Sequence, residues 1–254
     1  MIKIVKIGGR LIEEETVLNS LCDKLAVCCP SGVLVHGGGS MAGRLASRLG
    51  MEVRMIDGRR VTDRQTLEVA VMAYAGWANK KIVATLQSRG INACGLSGCD
   101  LGVILAHKRF SGEIDWGYVG DIDAVKSESL RMLLDAHVMP VISPITFDCR
   151  GQLLNTNADS VAAAVAIALS RICDTELVFC LDKPGVLADV SDDSSVIPVL
   201  NEETYREYLE KGWIHSGMIP KLENAFKTLK AGVKAVRLTD PQHLEQGTLI
   251  YQEK

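Results

Sequence analysis

The sequence predicts an α/β protein whose mostly parallel sheet is covered by helices on both faces. Three observations lead there. Short apolar, β-branched runs, beginning with Ile2-Lys3-Ile4-Val5-Lys6-Ile7, alternate along the chain with segments of helical spacing. Two of these runs stop at glycines, Gly8-Gly9 and His36-Gly37-Gly38-Gly39, and no repeat, low-complexity tract or linker interrupts the alternation. Strands that alternate with helices pair in parallel and present ligands at their carboxyl ends.

In chain order, the first strand ends in a lysine followed by a glycine turn at Gly8-Gly9. Leu18, Leu21, Leu25 and Cys28 give residues 13–29 a helical period that stops at Pro30. Residues 33–35 form the second strand, and after the glycine loop a helix runs over 41–49 to Gly50. Residues 51–58 read as an extended segment or hairpin, and Thr62 or Asp63 caps a helix reaching about residue 77. A further helix runs from Asn79 to Arg89. Strands are expected over 103–107 and 118–125 around a polar excursion, then a helix at 130–134 and a strand at 138–142. A turn at Asp148-Cys149-Arg150-Gly151 leads to a small-residue helix over 160–170. The remaining expectations are strands at 177–181 and 233–238 and helices at 201–211 and 221–231. Two lobes sharing one sheet would change over near residues 170–175.

The 254 residues, 47% hydrophobic and 23% charged, suffice for a substantial core. A net charge of −3 argues against a general nucleic-acid binder, so the placement of individual arginines becomes informative. The eight cysteines contain no Cys-x-x-Cys pair and mostly lie in apolar runs, where they act as small hydrophobes in a reducing compartment. The longest apolar run, residues 161–169, is too short to cross a bilayer, and no leader pattern opens the chain. The expectation is a cytoplasmic protein with no membrane partner.

Glycine loops after strands offer backbone amides to an anion, and Lys6 adds a mobile charge beside the first. The second loop is the stronger signal because it opens a helix, whose dipole adds to the amides. No Gly-x-x-x-x-Gly-Lys-Ser/Thr segment occurs. Gly37-x-Gly39-x-x-Ala42 with Asp57 about twenty residues on permits a dinucleotide reading, but two loops and a lysine suit a transferring phosphoryl group better. Phosphoryl transfer needs amides, lysines and usually Mg²⁺ around the phosphate oxygens. Lys221, after Gly217-Met218-Ile219-Pro220, is a candidate second cation or a solvated first-turn lysine. Asp159 either stabilises its helix through the dipole or holds lysines in register. Arg60 and Asn155 have the chemistry to grip a carboxylate, whereas Arg59 and Arg64 read as surface residues.

Six motifs carry a resemblance to the amino acid kinase family over nearly the whole chain. They are Lys6-x-Gly8-Gly9, His36-Gly37-Gly38-Gly39, Gly58-Arg59-Arg60-Val61-Thr62-Asp63, Asn155-Thr156-Asn157-Ala158-Asp159, Asp182-Lys183-Pro184-Gly185-Val186-Leu187 and Gly217-Met218-Ile219-Pro220-Lys221. The resemblance implies a three-layer αβα sandwich and ATP-dependent phosphorylation of the side-chain carboxylate of an N-acylated glutamate. It implies a single domain, 1–254, with an acyl-amino-acid and dimerisation lobe (about 1–170) and a nucleotide lobe (about 171–254). By similarity, Lys6 and Lys221 neutralise the transferred phosphoryl group and Asp159 orients both; Gly8, Gly9 and Gly38 line it. Gly38, Gly39, Arg60 and Asn155 would hold the acyl amino acid, with Asp182, Gly185, Val186, Leu187, His215, Gly217 and Met218 beside the nucleotide. Mg²⁺ would ride on the nucleotide phosphates, with no metal site of protein residues.

Acetyl is the default acyl group, with succinyl, other family substrates, an inactive nucleotide sensor and an NAD(P)-binding oxidoreductase as alternatives. Ser216 and Lys183 depart from the commonest pattern. Arginine-inhibited, hexameric relatives carry an extra N-terminal helix, and here the first strand begins at residue 2, so the expectation is a homodimer insensitive to arginine.

Overall fold

The computed structural model describes residues 1–56, 59–110, 112, 114–214 and 217–252. Its first half contains β1 (Ile2–Ile7), α1 (Gly9–Glu13), α2 (Glu15–Cys28), β2 (Val33–His36), α3 (Gly39–Arg48), β3 (Met55–Ile56), β4 (Arg59–Arg60), α4 (Arg64–Val71), α5 (Asn79–Gln87), β5 (Ala93–Leu96), β6 (Ile104–Lys108), β7 (Gly120–Val125) and α6 (Ser127–Asp135). Then follow β8 (Met139–Ile142), β9 (Ile145–Phe147), β10 (Leu153–Asn155), α7 (Ala158–Ser170), β11 (Thr175–Cys180), β12 (Val199–Leu200), α8 (Glu202–Glu210), α9 (Ile219–Lys230), β13 (Ala235–Thr239) and β14 (Thr248–Ile250).

An eight-stranded sheet in the order β12-β14-β13-β11-β1-β2-β8-β5 forms the centre. Every pairing in it is parallel except β13 with β14. Successive strand residues face opposite ways, and the core divides accordingly. Ile4, Val33, Val35, Leu177 and Phe179 join α6, α7 and α9 on one face; Val5, Leu34, Val178 and Cys180 join α2, α3, α4 and α5 on the other. That parity puts Lys6 on the α7 side. The sheet is continuous across residue 170, because β1 pairs with β11 from Ile2↔Thr175 to Lys6↔Phe179.

A second sheet, β10-β9-β6-β7, stands off the main one. Its strands β9 and β10 are three residues each, too short to show a period in the sequence; β5, β12 and β14 escaped it too. The expected turn at Gly8-Gly9 is instead the start of the short helix α1, and the helix expected over 13–29 is α2, Glu15–Cys28. The expected helix to about residue 77 is α4 continued by a π-helical turn, Met72–Ala78, directly into α5. Asp63 does cap α4, accepting from Thr66 N at 2.8 Å, while Asn157 caps α7 two residues earlier than expected. The buried thiols of Cys29 and Cys180 are pushed up to about 12 by desolvation, so they behave as apolar side chains.

Glu176 on β11 is 2% exposed and meets Arg237 Nε of β13 at 2.8 Å. Arg237→Ala would strand a buried carboxylate, a cost of about 3 kcal/mol, at the low end of the usual range because Lys3 stays within reach of Glu176. Urea unfolding of the variant checks this; an unchanged midpoint would show that the pair contributes nothing.

Candidate active site

Strands β1 and β2 lie side by side in parallel, so their two glycine loops emerge together. Gly37 N donates to Ile7 O at 2.9 Å. A Cβ on Gly9 would lie 3.0 Å from both Cα and N of Gly38, and one on Gly38 would strike Tyr74 Cδ1 at 2.4 Å. No side chain fits at Gly38. The π-helical turn brings Tyr74 to this place, an insertion of the kind that recurs at functional sites. Helix α3 has no side-chain cap, and its first intrahelical bond runs from Ala42 N to Gly38 O. The amides before Ala42 are therefore available to a ligand.

Lys6 leaves β1 on the α7 face and meets Asp159 Oδ1 at 2.7 Å. That oxygen is buried and accepts no hydrogen bond of good geometry, so Lys6 is its only counterpart among the described residues. Asn157 fixes the helix start, its Oδ1 accepting from Asp159 N and Ser160 N at 2.8 and 3.1 Å. Lys221 is exposed in the first turn of α9 and makes no ion pair with any described residue. Of the expected lysine–aspartate–lysine set, the structure brings together the first two.

Beside the glycine loops lies a cavity of about 190 Å³ lined by Gly38, Gly39, Arg60 and Asn155, four expected substrate residues, together with Arg59, Tyr74 and Arg109. Arg60 donates from Nη2 to Gly39 O at 2.9 Å, which leaves Nη1 buried with no partner. An unpaired buried guanidinium nitrogen is costly and marks a place for an anion. Asn155 donates to Thr62 Oγ1 at 3.0 Å. Thr62 in turn joins the 116–118 segment through Thr62 N to Trp116 O at 3.1 Å and Tyr118 N to Thr62 O at 2.6 Å. Gly117 makes that junction possible: its φ is +67°, and a Cβ there would meet Thr62 O at 2.1 Å. Arg109 is held by Asp121, donating from Nε to both carboxylate oxygens at 3.1 Å, and this keeps the Asp121 carboxyl below the usual range.

Arg59, Tyr74 and Arg109 were not legible as site residues. Arg59 reads as surface until the β3–β4 pairing turns it to the cavity, and nothing local marks Tyr74 or Arg109. Arg64 is a surface residue as expected, 3.6 Å from Glu68 on its own helix.

On the expected nucleotide side, Asp182 and Gly217 are exposed and Met218 is half-buried. Val186 and Leu187 are buried, and the backbone of Val186 is engaged within the fold, its N donating to Thr248 Oγ1 and its O accepting from Ile197 N, both at 2.8 Å. Lys183 is tied to Asp193 at 2.7 Å. His215 lies outside the described residues, as do Asp57, Gly58 and Ser216.

His36 is fully buried, and burial pushes its pKa from the ordinary 6.5 to about 4. Asn79 Nδ2 donates to Val141 O at 2.9 Å and to His36 Nε2 at 3.1 Å, which leaves Nδ1 as the donor to Gly37 O at 2.7 Å. A neutral ring thus braces the second glycine loop and carries no proton in the reaction.

The amino acid kinase family model matches residues 1–240. An acetylglutamate kinase of Bacteroides fragilis is 47% identical over 97% of this chain and 95% of its own. One of Phocaeicola vulgatus is 46% identical over 96% and 95%. The crystal structure of smu.665 from Streptococcus mutans superposes with a TM-score of 0.79 at 28% identity, over 98% of both chains.

Because the folded-state pKa of His36 is depressed, the unfolded chain takes up the proton first, and stability falls as pH drops from 6.5 towards 4. This one group accounts for about 3 kcal/mol of acid lability. Comparing unfolding free energies at about pH 7.5 and about pH 4.5 should show a smaller pH effect in His36→Gln than in the parent chain. An equal effect in both would mean that His36 is not the titrating group.

Proposed function

The chain belongs to the amino acid kinase family, and from that premise we propose that it transfers the γ-phosphoryl group of ATP to the side-chain carboxylate of N-acetyl-L-glutamate, an acetylglutamate kinase step of arginine biosynthesis. The observation that carries the substrate side is the buried, unpartnered Arg60 Nη1 beside Asn155 and the free amides of α3. A guanidinium so placed takes the α-carboxylate, and the acyl amide lies against Gly38 and Gly39. The side-chain carboxylate then points at the glycine loops.

The transfer needs no base. A glutamate carboxylate, with a pKa near ~4.3, is ionised at neutral pH and is itself the nucleophile. One of its oxygens bonds to the γ-phosphorus while the bond to the β–γ bridging oxygen breaks, and ADP leaves with that electron pair. No proton moves. The amides at Gly9 and Gly38 and the Lys6 ammonium take up charge on the equatorial oxygens as it shifts. Asp159 sets Lys6 in place, and Lys221, exposed on α9, is free to close on a bound nucleotide. The residues fit a polyphosphate, because Ser40 Oγ is also buried and unpartnered at the first turn of α3. Mg²⁺, carried on the nucleotide phosphates, supplies further charge neutralisation. Asp182, Gly185, Val186, Leu187, His215, Gly217 and Met218 border the nucleotide.

The expected setting is the cytoplasm and the expected assembly a homodimer, without nucleic-acid or membrane partners. Exposed Met72 and Trp77 around the π-helical turn supply apolar area for a second copy, and no described helix is long and apolar enough to cross a membrane.

Lys6→Ala and Lys221→Ala should each lower kcat about 10²-fold or more, the scale for loss of one preorganised donor, with smaller changes in KM. An ADP-release assay with N-acetylglutamate measures this. Near-parental turnover by either variant would remove that lysine from the mechanism, and absence of turnover by the parent chain would remove the kinase.

A further inference from the structure

Tyr74 is the one aromatic side chain among the described residues that line the cavity, and it is 4% exposed. The π-helical turn lays its ring along Gly38, where Cδ1, Cε1 and Cγ stand 2.4, 2.9 and 3.3 Å from the place of an added Cβ. With that edge committed, the hydroxyl is the polar tip of a buried side chain, and such tips ordinarily meet a partner. Arg60 is the charged group beside it. Burial pushes the Tyr74 pKa up and outweighs the guanidinium, so the tip is a neutral O–H that can donate.

Arg60 has donors only. Its Nη2 is taken by Gly39 O at 2.9 Å, and its buried Nη1 has no partner. The Tyr74 oxygen therefore does not serve Nη1, and no acidic side chain among the described lining residues is there to accept the Tyr74 proton. Two donors, one from β4 and one from the π-helical turn, are thus brought to one place without a carboxylate of the chain. A single unpaired buried donor is costly, and a pair of them brought together suits a carboxylate.

We propose that Tyr74 is a substrate-binding residue whose hydroxyl donates to the α-carboxylate held by Arg60. This rests on the kinase reading above and adds a residue to its substrate side. One rigid phenol ring then touches Gly38 with its edge and the α-carboxylate with its tip, so it fixes how far that carboxylate sits from the glycine loops. The side-chain carboxylate is thereby held in register with the phosphoryl group. The hydroxyl keeps its proton throughout, because the transfer moves none.

The test is an ADP-release assay on the full chain, parent and Tyr74→Phe, with N-acetyl-L-glutamate and with N-acetyl-γ-aminobutanoate, the same molecule without its α-carboxylate. Phenylalanine keeps the ring against Gly38 and removes only the oxygen. In Tyr74→Phe the KM for N-acetylglutamate should rise about tenfold or more, the scale for one hydrogen bond to a charged group, with a smaller change in kcat. KM for ATP and the thermal midpoint should stay near the parent values, which shows that the variant is folded and its nucleotide side intact. For N-acetyl-γ-aminobutanoate, kcat/KM should differ by less than about twofold between the two proteins. An unchanged KM for N-acetylglutamate, an equal fall in kcat/KM for both compounds, or a parallel rise in KM for ATP would overturn the proposal and leave the kinase reading standing. Turnover of N-acetylglutamate by neither protein would overturn that reading, and this proposal with it.

Discussion

The site depends on how closely the backbones of Gly9 and Gly38 approach. Parallel pairing of β1 with β2 brings both strand ends to one level, and a Cβ on Gly9 would sit 3.0 Å from Gly38 backbone atoms. The Tyr74 ring closes on Gly38 from the opposite side. Held between another backbone and an aromatic ring, Gly38 has room for nothing but its own peptide groups. Its neighbours' amides are thereby left facing one point, with a ten-residue helix dipole behind them. Space is the governing term here. The same crowding that would make a substitution costly is what lets phosphate oxygens reach two loops at once.

Charge is arranged around that point so that none of it has to titrate. A carboxylate nucleophile arrives ionised, so the chain needs cations and amides rather than a proton acceptor. Lys6 provides a cation whose geometry Asp159 holds from the start of α7. His36, adjacent to the loop, could in principle add charge, but desolvation inside the fold far outweighs any gain and keeps it neutral. Its two nitrogens are instead used structurally, accepting from Asn79 and donating to Gly37 O. Asn79 in turn requires Gly95, where a Cβ would fall 1.9 Å from Asn79 Oδ1. A glycine on β5 therefore sets, through two side chains, the carbonyl that precedes Gly38.

What could be read from the sequence was whatever is local. Lys6, Gly9, Gly38, Asp159 and Arg60 each lie in a short motif beside a strand end or helix start; the glycine loops and Lys6 suggest an anion by themselves, and the family resemblance of the motifs implies the rest. Fold class was equally open, because six-residue strands such as β1 and β11 show their apolar runs plainly. What could not be read depends on distant pairings. Arg109 reaches the cavity only because β6 pairs with β7 and brings Asp121 alongside, and Tyr74 only because a π-helical turn displaces it from the α-helical phase. Arg59 was assigned to the surface because exposure is a property of the fold, and a residue can be exposed and still line a binding cavity.

The two sides of the site differ in how far they are built before a ligand arrives. The proposed acyl side is walled by residues held by hydrogen bonds within the fold: Asn155 through Thr62, Arg60 through Gly39 and Arg109 through Asp121. The expected nucleotide side combines the buried Gly185-Val186-Leu187 stretch with exposed residues at Asp182 and Gly217 and a lysine, Lys221, that makes no ion pair with any described residue. In the proposed chemistry this asymmetry is useful, because a small acid must be held at a defined distance from phosphorus, whereas ATP must enter and ADP must leave on every cycle. Helix α7 joins the two sides: it starts at Ala158, which lines the cavity, ends before β11 and packs against α9. Its Ala162, Ala163 and Ala166 are buried, with small side chains that allow close packing. Asp159 is therefore placed at the start of α7 where Lys6 meets it, and in the proposed chemistry Lys221 on α9 is the second cation.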